Sequence, residues 1–218
     1  MIPCYNEEKG VVETLKKNPP FVDEVIVVDN NSTDKTAEVA KNYGATIIYE
    51  KKKGYGYACQ AGLLNASGDI IAILDGENSY PLSELEKILA HMERGYYDFV
   101  SGNRYPLSYK NVQPVINKIA NYFISWLIRF LFQINLMDSQ SGMMVFKKTV
   151  LDKIKIQNAD MGFSQEIKIK AFLHSAIKSG EIHISYQVRA GKVKFKKIDA
   201  IRNLFSVLSL FRELMQKK

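Results

Sequence analysis

The chain has 218 residues, of which 46% are hydrophobic, and a formal net charge of +7 with a pI near 9.2. That much apolar content supports one substantial core. Two cysteines exclude a disulfide framework or a cysteine zinc site and fit a reducing cytosolic setting. A basic balance suits phosphate-rich ligands or an anionic membrane surface, and the signatures of the common nucleic-acid modules are absent, so no nucleic-acid partner is expected.

In chain order, the opening "IPCYNEE" (2–8) is a short apolar stub that breaks at Pro3 into exposed polar residues, and it does not read as a signal peptide. "EVIVVD" (24–29) reads as a buried strand, and "STDKTAEVAKNYG" after it as a helix with Ser32 or Thr33 as cap and Gly44 as stop. "ATIIYE" (45–50) is the next strand, followed by a helix from Gly56 to about Ala66. "DIIAILD" (69–75) and "YDFVSGNR" (97–104) are further strands, with a helix over 82–95 between them. Strand and helix alternating this way predict a parallel, doubly wound α/β sheet, whose ligands sit at the carboxyl ends of the strands. Asp29, Asp75 and Arg104 all fall there.

Beyond residue 104 the pattern changes. Residues 115–137 are very apolar, 141–146 read as a strand, 163–178 as a helix, 181–188 as an alternating strand and 198–216 as an apolar helix. Asn121, Ser125, Arg129 and Gln133 recur every fourth residue, a slowly turning polar stripe on a helix. A spanning helix would bury Arg129 at considerable cost, so the expected placement is at a membrane interface, with Tyr122 and Trp126 at headgroup depth; a core helix is the alternative. In the last helix Ile201, Leu204, Phe205, Leu208, Phe211 and Met215 form one broad stripe, with Leu210 and Leu214 outside it. Its basic flanks, Lys196, Lys197, Lys217 and Lys218, favour anionic lipid. Peripheral association with a membrane surface, without a span, is the expectation.

Several strand ends carry chemistry. In "AILDGENSYP" (72–81) Asp75 and Glu77 stand one residue apart after an apolar run. Two such carboxylates can share a hard divalent cation, while a solvated turn is the plainer alternative. Asp29 is a candidate acceptor for a base or ribose. In "KKKGYGYACQAG" (51–62) Lys53 and two glycines precede a helix, where exposed N–H groups and a lysine can hold phosphate.

Taken together, "IPCYNEE", "VIVVDNNSTDKT", "KKKGYGYACQAGLLNASGDIIAILDGENSYP", "SGNRY" and "DSQSGMMVF" resemble, in order, the motifs of family 2 glycosyltransferases. The nearest resemblance is to polyprenyl-phosphate (dolichyl-phosphate) mannose and glucose synthases, and it extends to "ISYQVRAGKVKF" (184–195). The resemblance implies a GT-A fold: an α/β chain with a mostly parallel central sheet flanked by helices and apolar interfacial helices in its C-terminal half. It implies one glycosyltransferase domain over 1–218, with 1–104 binding the nucleotide sugar and 105–218 facing the acceptor and the membrane surface. Pro3, Tyr5, Glu7, Asp29, Lys53 and Asp75 are then the nucleotide-binding residues. Asp75 and Glu77, with Ser79 as a weak third candidate, are the ligands of a divalent cation, Mg²⁺ or Mn²⁺. Asp75, Asp138 and Arg104 are the candidate catalytic residues, and Arg104, Arg189 and Lys194 the cations for an acceptor phosphate.

The implied reaction is metal-dependent and inverting. It moves a hexose from a GDP-mannose or UDP-glucose type donor to a polyprenyl (dolichyl) phosphate on the cytoplasmic face of a membrane. A saccharide acceptor and a non-catalytic nucleotide-sugar-binding relative are the alternatives. The Gln-x-x-Arg-Trp motif of processive polysaccharide synthases is absent, because Trp126 is the only tryptophan. The chain also departs from the relatives' pattern. Met143 and Met144 stand where an aromatic–Arg pair is usual, and only Met1 precedes Ile2, so the first strand is expected to be a stub.

Overall fold

The computed structural model describes residues 1–107, 112, 114–190 and 197–216, the side chains of 197–200 excepted. Lys194, Lys196, Lys217 and Lys218 lie outside the described residues, as does the side chain of Lys197.

The apolar runs become strands, of which β1 and β2 are buried throughout. β1 (Ile2–Cys4), β2 (Ile26–Asp29) and β3 (Thr46–Tyr49) pair in parallel, with Cys4 opposite Asp29 and Asp29 opposite Tyr49. Every residue of β2 is buried, as the continuous run in a covered parallel sheet requires. β4 (Ile70–Ile73), β5 (Phe99–Asn103), β6 (Met144–Lys147) and β7 (Ser179–His183) follow in the order β4-β6-β5-β7. The stub β1 joins the two groups. Met1 donates its amino group to the Ala72 carbonyl at 2.7 Å, and Leu74 N–H donates to the Met1 carbonyl at 3.4 Å. β6 alone runs antiparallel to its neighbours, between β4 and β5, while β5 and β7 are parallel.

The helices are α1 (Glu8–Leu15), α2 (Thr36–Asn42), α3 (Tyr55–Asn65), α4 (Glu84–Gly95), α5 (Val115–Phe132), α6 (Phe163–Leu173) and α7 (Lys197–Gln216). Because strand side chains alternate between faces, Val27 packs with Val11, Leu85, Ile88 and Val145 on one side. Val28 packs with Cys59, Ile73, Phe146 and Phe163 on the other. Each such fully buried side chain contributes roughly 1.5–3 kcal/mol. A third cluster, including Ile124, Ile128, Ile169, Val207 and Leu210, fastens α5, α6 and α7 together.

Four details differ from the sequence reading. α2 starts at Thr36, with Asp34 Oδ1 accepting the Thr36 N–H at 3.0 Å. Ser32 and Thr33 instead fasten the first turn of the chain, since Asn6 N–H donates to Ser32 Oγ and Thr33 N–H to Asn6 Oδ1. α6 stops at Leu173, five residues early, because Ile177 turns into the core and the Lys178 carbonyl accepts the Asp98 N–H ahead of β7. β7 spans 179–183, so residues 184–188 lie beyond the strand, with Ile184 N–H still bound to the Asn103 carbonyl. Finally, the first half of the polar stripe of α5 turns inward: Asn121 donates to the Tyr105 hydroxyl and the buried Ser125 pairs with Ser139, while Gln133 at its end is exposed. Its outer face is apolar, with Ile116, Ile119, Tyr122, Phe123, Trp126 and Phe130 exposed. α7 likewise buries Asn203, Val207 and Leu210 and leaves Ile201, Phe205 and Met215 exposed.

Candidate active site

The strand ends open into one cleft of about 840 Å³. The turns that shape it share a device: Asn6 after β1, Asn31 after β2 and Asn78 after β4 all have positive φ. Asparagine adopts that left-handed conformation more readily than other non-glycine residues, so each strand can turn sharply into its helix. Pro3, Tyr5, Glu7, Lys53, Asp75, Glu77, Arg104 and Arg189 line the cleft. Asp29, Ser79 and Asp138 are buried beside it rather than in its lining. At the end of β2 it is Asn30 that reaches the cleft, while Asp29 keeps Oδ1 buried without a hydrogen bond.

Asp75 stands at the base of the acidic turn, in the cleft lining. Burial first, and repulsion from Glu77 second, raise its pKa to about 7. A side chain at position 142 would collide with the Asp75 carboxylate, so Gly142 is what lets the 138–142 turn close over it. The Gly142 N–H donates to the Tyr80 hydroxyl at 2.6 Å, which fixes that approach. Glu77 is engaged on both oxygens: Oε1 accepts from Ser79 Oγ at 2.7 Å and Oε2 pairs with Arg189 Nη1 at 2.7 Å. Arg189 Nη2 reaches Glu7 Oε1 at 3.1 Å, and Arg189 Nε is buried without a partner. The Arg189 segment is stitched to the acidic turn, with Gln187 N–H on the Ser79 carbonyl and Ala190 N–H on the Glu77 carbonyl.

Arg104 is 5% exposed and forked onto Asp138, Nε to Oδ2 at 2.7 Å and Nη2 to Oδ1 at 2.9 Å. The rings of Tyr186 and Tyr105 flank the guanidinium at 5.1 and 5.7 Å. Burial alone would raise the pKa of Asp138, but the charge and hydrogen bonds of Arg104 outweigh it and hold the carboxyl below its usual value. Behind this pair the fully buried Lys168 donates to the Ser139 and Ser141 carbonyls, and burial lowers its pKa to about 8. Lys53 reaches the cleft mouth over the Tyr5 ring, 5.7 Å from its centroid. The glycines beside it admit the 158–160 segment: a Cβ on Gly54 or Gly56 would strike Ala159, whose carbonyl accepts the Tyr57 N–H. Among the described residues no group of three or more His, Cys, Asp or Glu side chains gathers as a metal cage. A hard cation needs only one or two protein carboxylates when phosphate oxygens complete its shell, and the under-neutralised Asp75 fits that role.

Residues 1–155 match the family model described as glycosyl transferase family 2. The chain belongs to the family 2 glycosyltransferases. It is 31% identical over 191 residues to an uncharacterised glycosyltransferase of Mycobacterium tuberculosis (strain ATCC 25618 / H37Rv), covering 88% of this chain and 85% of that protein. It is also 31% identical to the dolichyl-phosphate hexose transferase of Haloferax volcanii, over 87% of this chain and 82% of that one. Among solved structures, glucosyl-3-phosphoglycerate synthase from Mycobacterium tuberculosis, in complex with Mn²⁺, uridine diphosphate and phosphoglyceric acid, superposes with a TM-score of 0.77. That match has 19% identity and covers 96% of this chain and 76% of that chain; it is a likeness of fold. The expected α/β fold with its parallel sheet and flanking helices is the one observed.

The glycosyltransferase cleft also contains side chains the sequence reading did not single out: Tyr55, Tyr80, Gln140, Gln165, Tyr186 and Asn203. Tyr55, Tyr80, Gln140 and Tyr186 stood inside quoted motifs. Gln165 and Asn203 had no sequence signal, because each sits in a helix whose pattern advertises only apolar packing.

Proposed function

We propose that this glycosyltransferase moves a hexose from a nucleotide sugar, of the UDP-glucose or GDP-mannose type, to a polyprenyl (dolichyl) phosphate at a membrane surface. The observation that carries the reading is the meeting of four strand ends and the 138–142 turn around one cleft holding Glu7, Lys53, Asp75, Arg104 and Arg189. Similarity to the Haloferax dolichyl-phosphate hexose transferase supports the acceptor class.

In this reading the whole chain, 1–218, is one catalytic domain. Pro3, Tyr5, Glu7 and Lys53 bind the nucleotide, with Asp29 behind them. Asp75 and Glu77 would hold the divalent cation, Mg²⁺ or Mn²⁺. When bound, that cation would neutralise charge on the diphosphate leaving group. Arg189, with an unmade Nε hydrogen bond, turns from its glutamates to the incoming phosphate oxygens. Arg104 presents its Nη1 edge to the acceptor phosphate while Asp138 holds the rest of the fork, so Asp138 is a positioning residue. An acceptor phosphate monoester has a second pKa of about 6 and is already largely ionised, so no strong base is required. Its oxygen attacks the anomeric carbon, the carbon–diphosphate bond breaks with its electron pair leaving on the diphosphate, and the configuration inverts.

Membrane contact is assigned to the exposed face of α5. Val115–Phe132 is the one described helix long and apolar enough to cross a membrane. With Tyr122 and Trp126 exposed it suits the headgroup region, and the reading is peripheral binding on the cytoplasmic face.

Transfer from UDP-glucose or GDP-mannose to extracted polyprenyl phosphate, with Mn²⁺ or Mg²⁺, tests the proposal. Parent protein should form the lipid-linked sugar. Asp75→Ala should lose about 10²–10³-fold in rate, the usual scale for removing one electrostatic element of a transition state. Equal rates in parent and variant would reject the Asp75 assignment, and no lipid product from any donor would reject the acceptor.

A further inference from the structure

The wall of the cleft facing α6 and α7 is built of amides. Gln140 extends from the turn after Asp138, Gln165 from the first turn of α6 and Asn203 from α7, and all three line the cleft. Gln165 Nε2 donates to Gln140 Oε1 at 2.9 Å, and Gln140 Nε2 donates to Ser139 Oγ at 2.8 Å. Gln165 is 2% exposed and Asn203 4% exposed. Yet Gln165 Oε1 and Asn203 Oδ1 are both buried with no hydrogen bond. A buried acceptor left empty is destabilising, and such groups are few in folded proteins. Two on one wall, from two different helices, are poorly explained by folding, which apolar side chains of the same size would serve better.

No free cation stands on this wall among the described residues, since the ammonium of Lys168 is spent on the Ser139 and Ser141 carbonyls behind it. Phosphate is recognised by arginine and lysine, so a neutral amide wall suits a neutral ligand. An amide offers two donors and an acceptor, and a hydroxyl is both donor and acceptor, so neighbouring amides match neighbouring hydroxyls. Gln140 is two residues from Gly142, where an added Cβ would strike the Asp75 carboxylate. A ring carried on a diphosphate held at Asp75 would project toward these amides.

We infer that Gln140, Gln165 and Asn203 form a sugar subsite that reads the hydroxyls of a pyranose ring. The inference rests on the nucleotide-sugar reading above. The shared chemistry has two sources, the hexose of the donor and a sugar on the acceptor, and proximity to Asp75 favours the donor.

The test compares binding of UDP with UDP-glucose, and of GDP with GDP-mannose, in the presence of Mn²⁺, for the parent, Gln165→Met and Asn203→Leu. Both variants should bind the nucleoside diphosphate as the parent does. Each should lose affinity for the nucleotide sugar by roughly two- to tenfold, the scale of one neutral hydrogen bond. Unchanged donor affinity with an equal rise in KM for a saccharide acceptor keeps the hydroxyl subsite and assigns it to the acceptor. Unchanged affinity for every sugar-bearing ligand, with nucleoside diphosphate binding intact, overturns the subsite alone. A parent protein that binds neither UDP nor GDP overturns the donor reading and the subsite with it. Urea unfolding supplies a second readout: filling these positions with apolar side chains should leave stability unchanged or raise it. A fall without any change in sugar affinity means a folding role and overturns the subsite. Gln140→Ala, on a less buried residue, carries the same binding comparison if a helix variant fails to fold.

Discussion

On the wall made by the strand ends, Arg189 lies between Glu7 and Glu77 and Arg104 is forked onto Asp138. On the wall made by α6 and α7, Gln165 and Asn203 keep amide oxygens that nothing satisfies. The contrast follows from what each kind of group tolerates. An isolated buried charge is far more destabilising than an isolated buried amide. The charged wall therefore holds its ligand-binding groups in pairs within the chain and must exchange partners when a ligand arrives. The neutral wall can wait empty.

If this contrast is right, breaking the fully buried Arg104–Asp138 pair harms the fold, whereas altering the amide wall does not. The largest effect belongs to Asp138→Leu, which strands Arg104 in a buried position. Urea unfolding should show a loss of about 3–5 kcal/mol, and adding Arg104→Leu should recover a substantial part of it. Additive losses in the double variant would mean the two residues act independently. Arg189→Gln comes next: the segment stays stitched by backbone hydrogen bonds, so the fold should hold. Affinity for UDP or GDP with Mn²⁺ should fall about 10–100-fold, the value of one charge-assisted hydrogen bond. A gain in affinity would instead make Arg189 a plug that competes with the metal.

The pH dependence of the metal-free protein sharpens the comparison further. The pKa of Asp75 is raised to about 7 in the folded protein against an ordinary value of 3.8. The folded state therefore binds the extra proton between those values, and this group's contribution to stability falls as pH rises through that window. From pH 6 to pH 8 the loss should be about 1 kcal/mol, and Asp75→Asn should abolish that component. The same slope in both proteins would remove Asp75 as its source. Smallest is Trp126→Ser on the outer face of α5. It should leave stability within about 0.5 kcal/mol and yet reduce flotation with anionic liposomes at low salt. Failure of the parent to float would reject the membrane assignment altogether.

The first hundred residues were legible because short apolar runs alternate there with helical patterns and each strand end carries its polar cargo within a few residues. Asp75, Glu77, Lys53 and Arg104 could be placed at the cleft on that basis alone. The antiparallel course of β6 was not legible, since a strand's direction is set by its neighbours and leaves no period in the sequence. The inward half of the polar stripe of α5 was equally hidden. Spacing placed Asn121 and Ser125 on one face, but only Tyr105 and Ser139 on neighbouring elements show which way that face turns. The pairing of Arg189 with Glu7 and Glu77 joins residues 182 positions apart in one case, beyond any local pattern. Gln165 and Asn203 went unnoticed for a related reason: one amide in a helix carries no signal until another helix brings a second beside it.

The stitching of the Arg189 segment turns chain length into a structural constraint. Ile184 N–H is bound to the Asn103 carbonyl and Ala190 N–H to the Glu77 carbonyl, so the stretch between them is held at both ends like a measured cord. Losing or gaining one residue between those anchors would move Arg189 out of register with both glutamates. Val188, exposed in the middle of the stretch, can change its side chain freely. The number of residues there cannot.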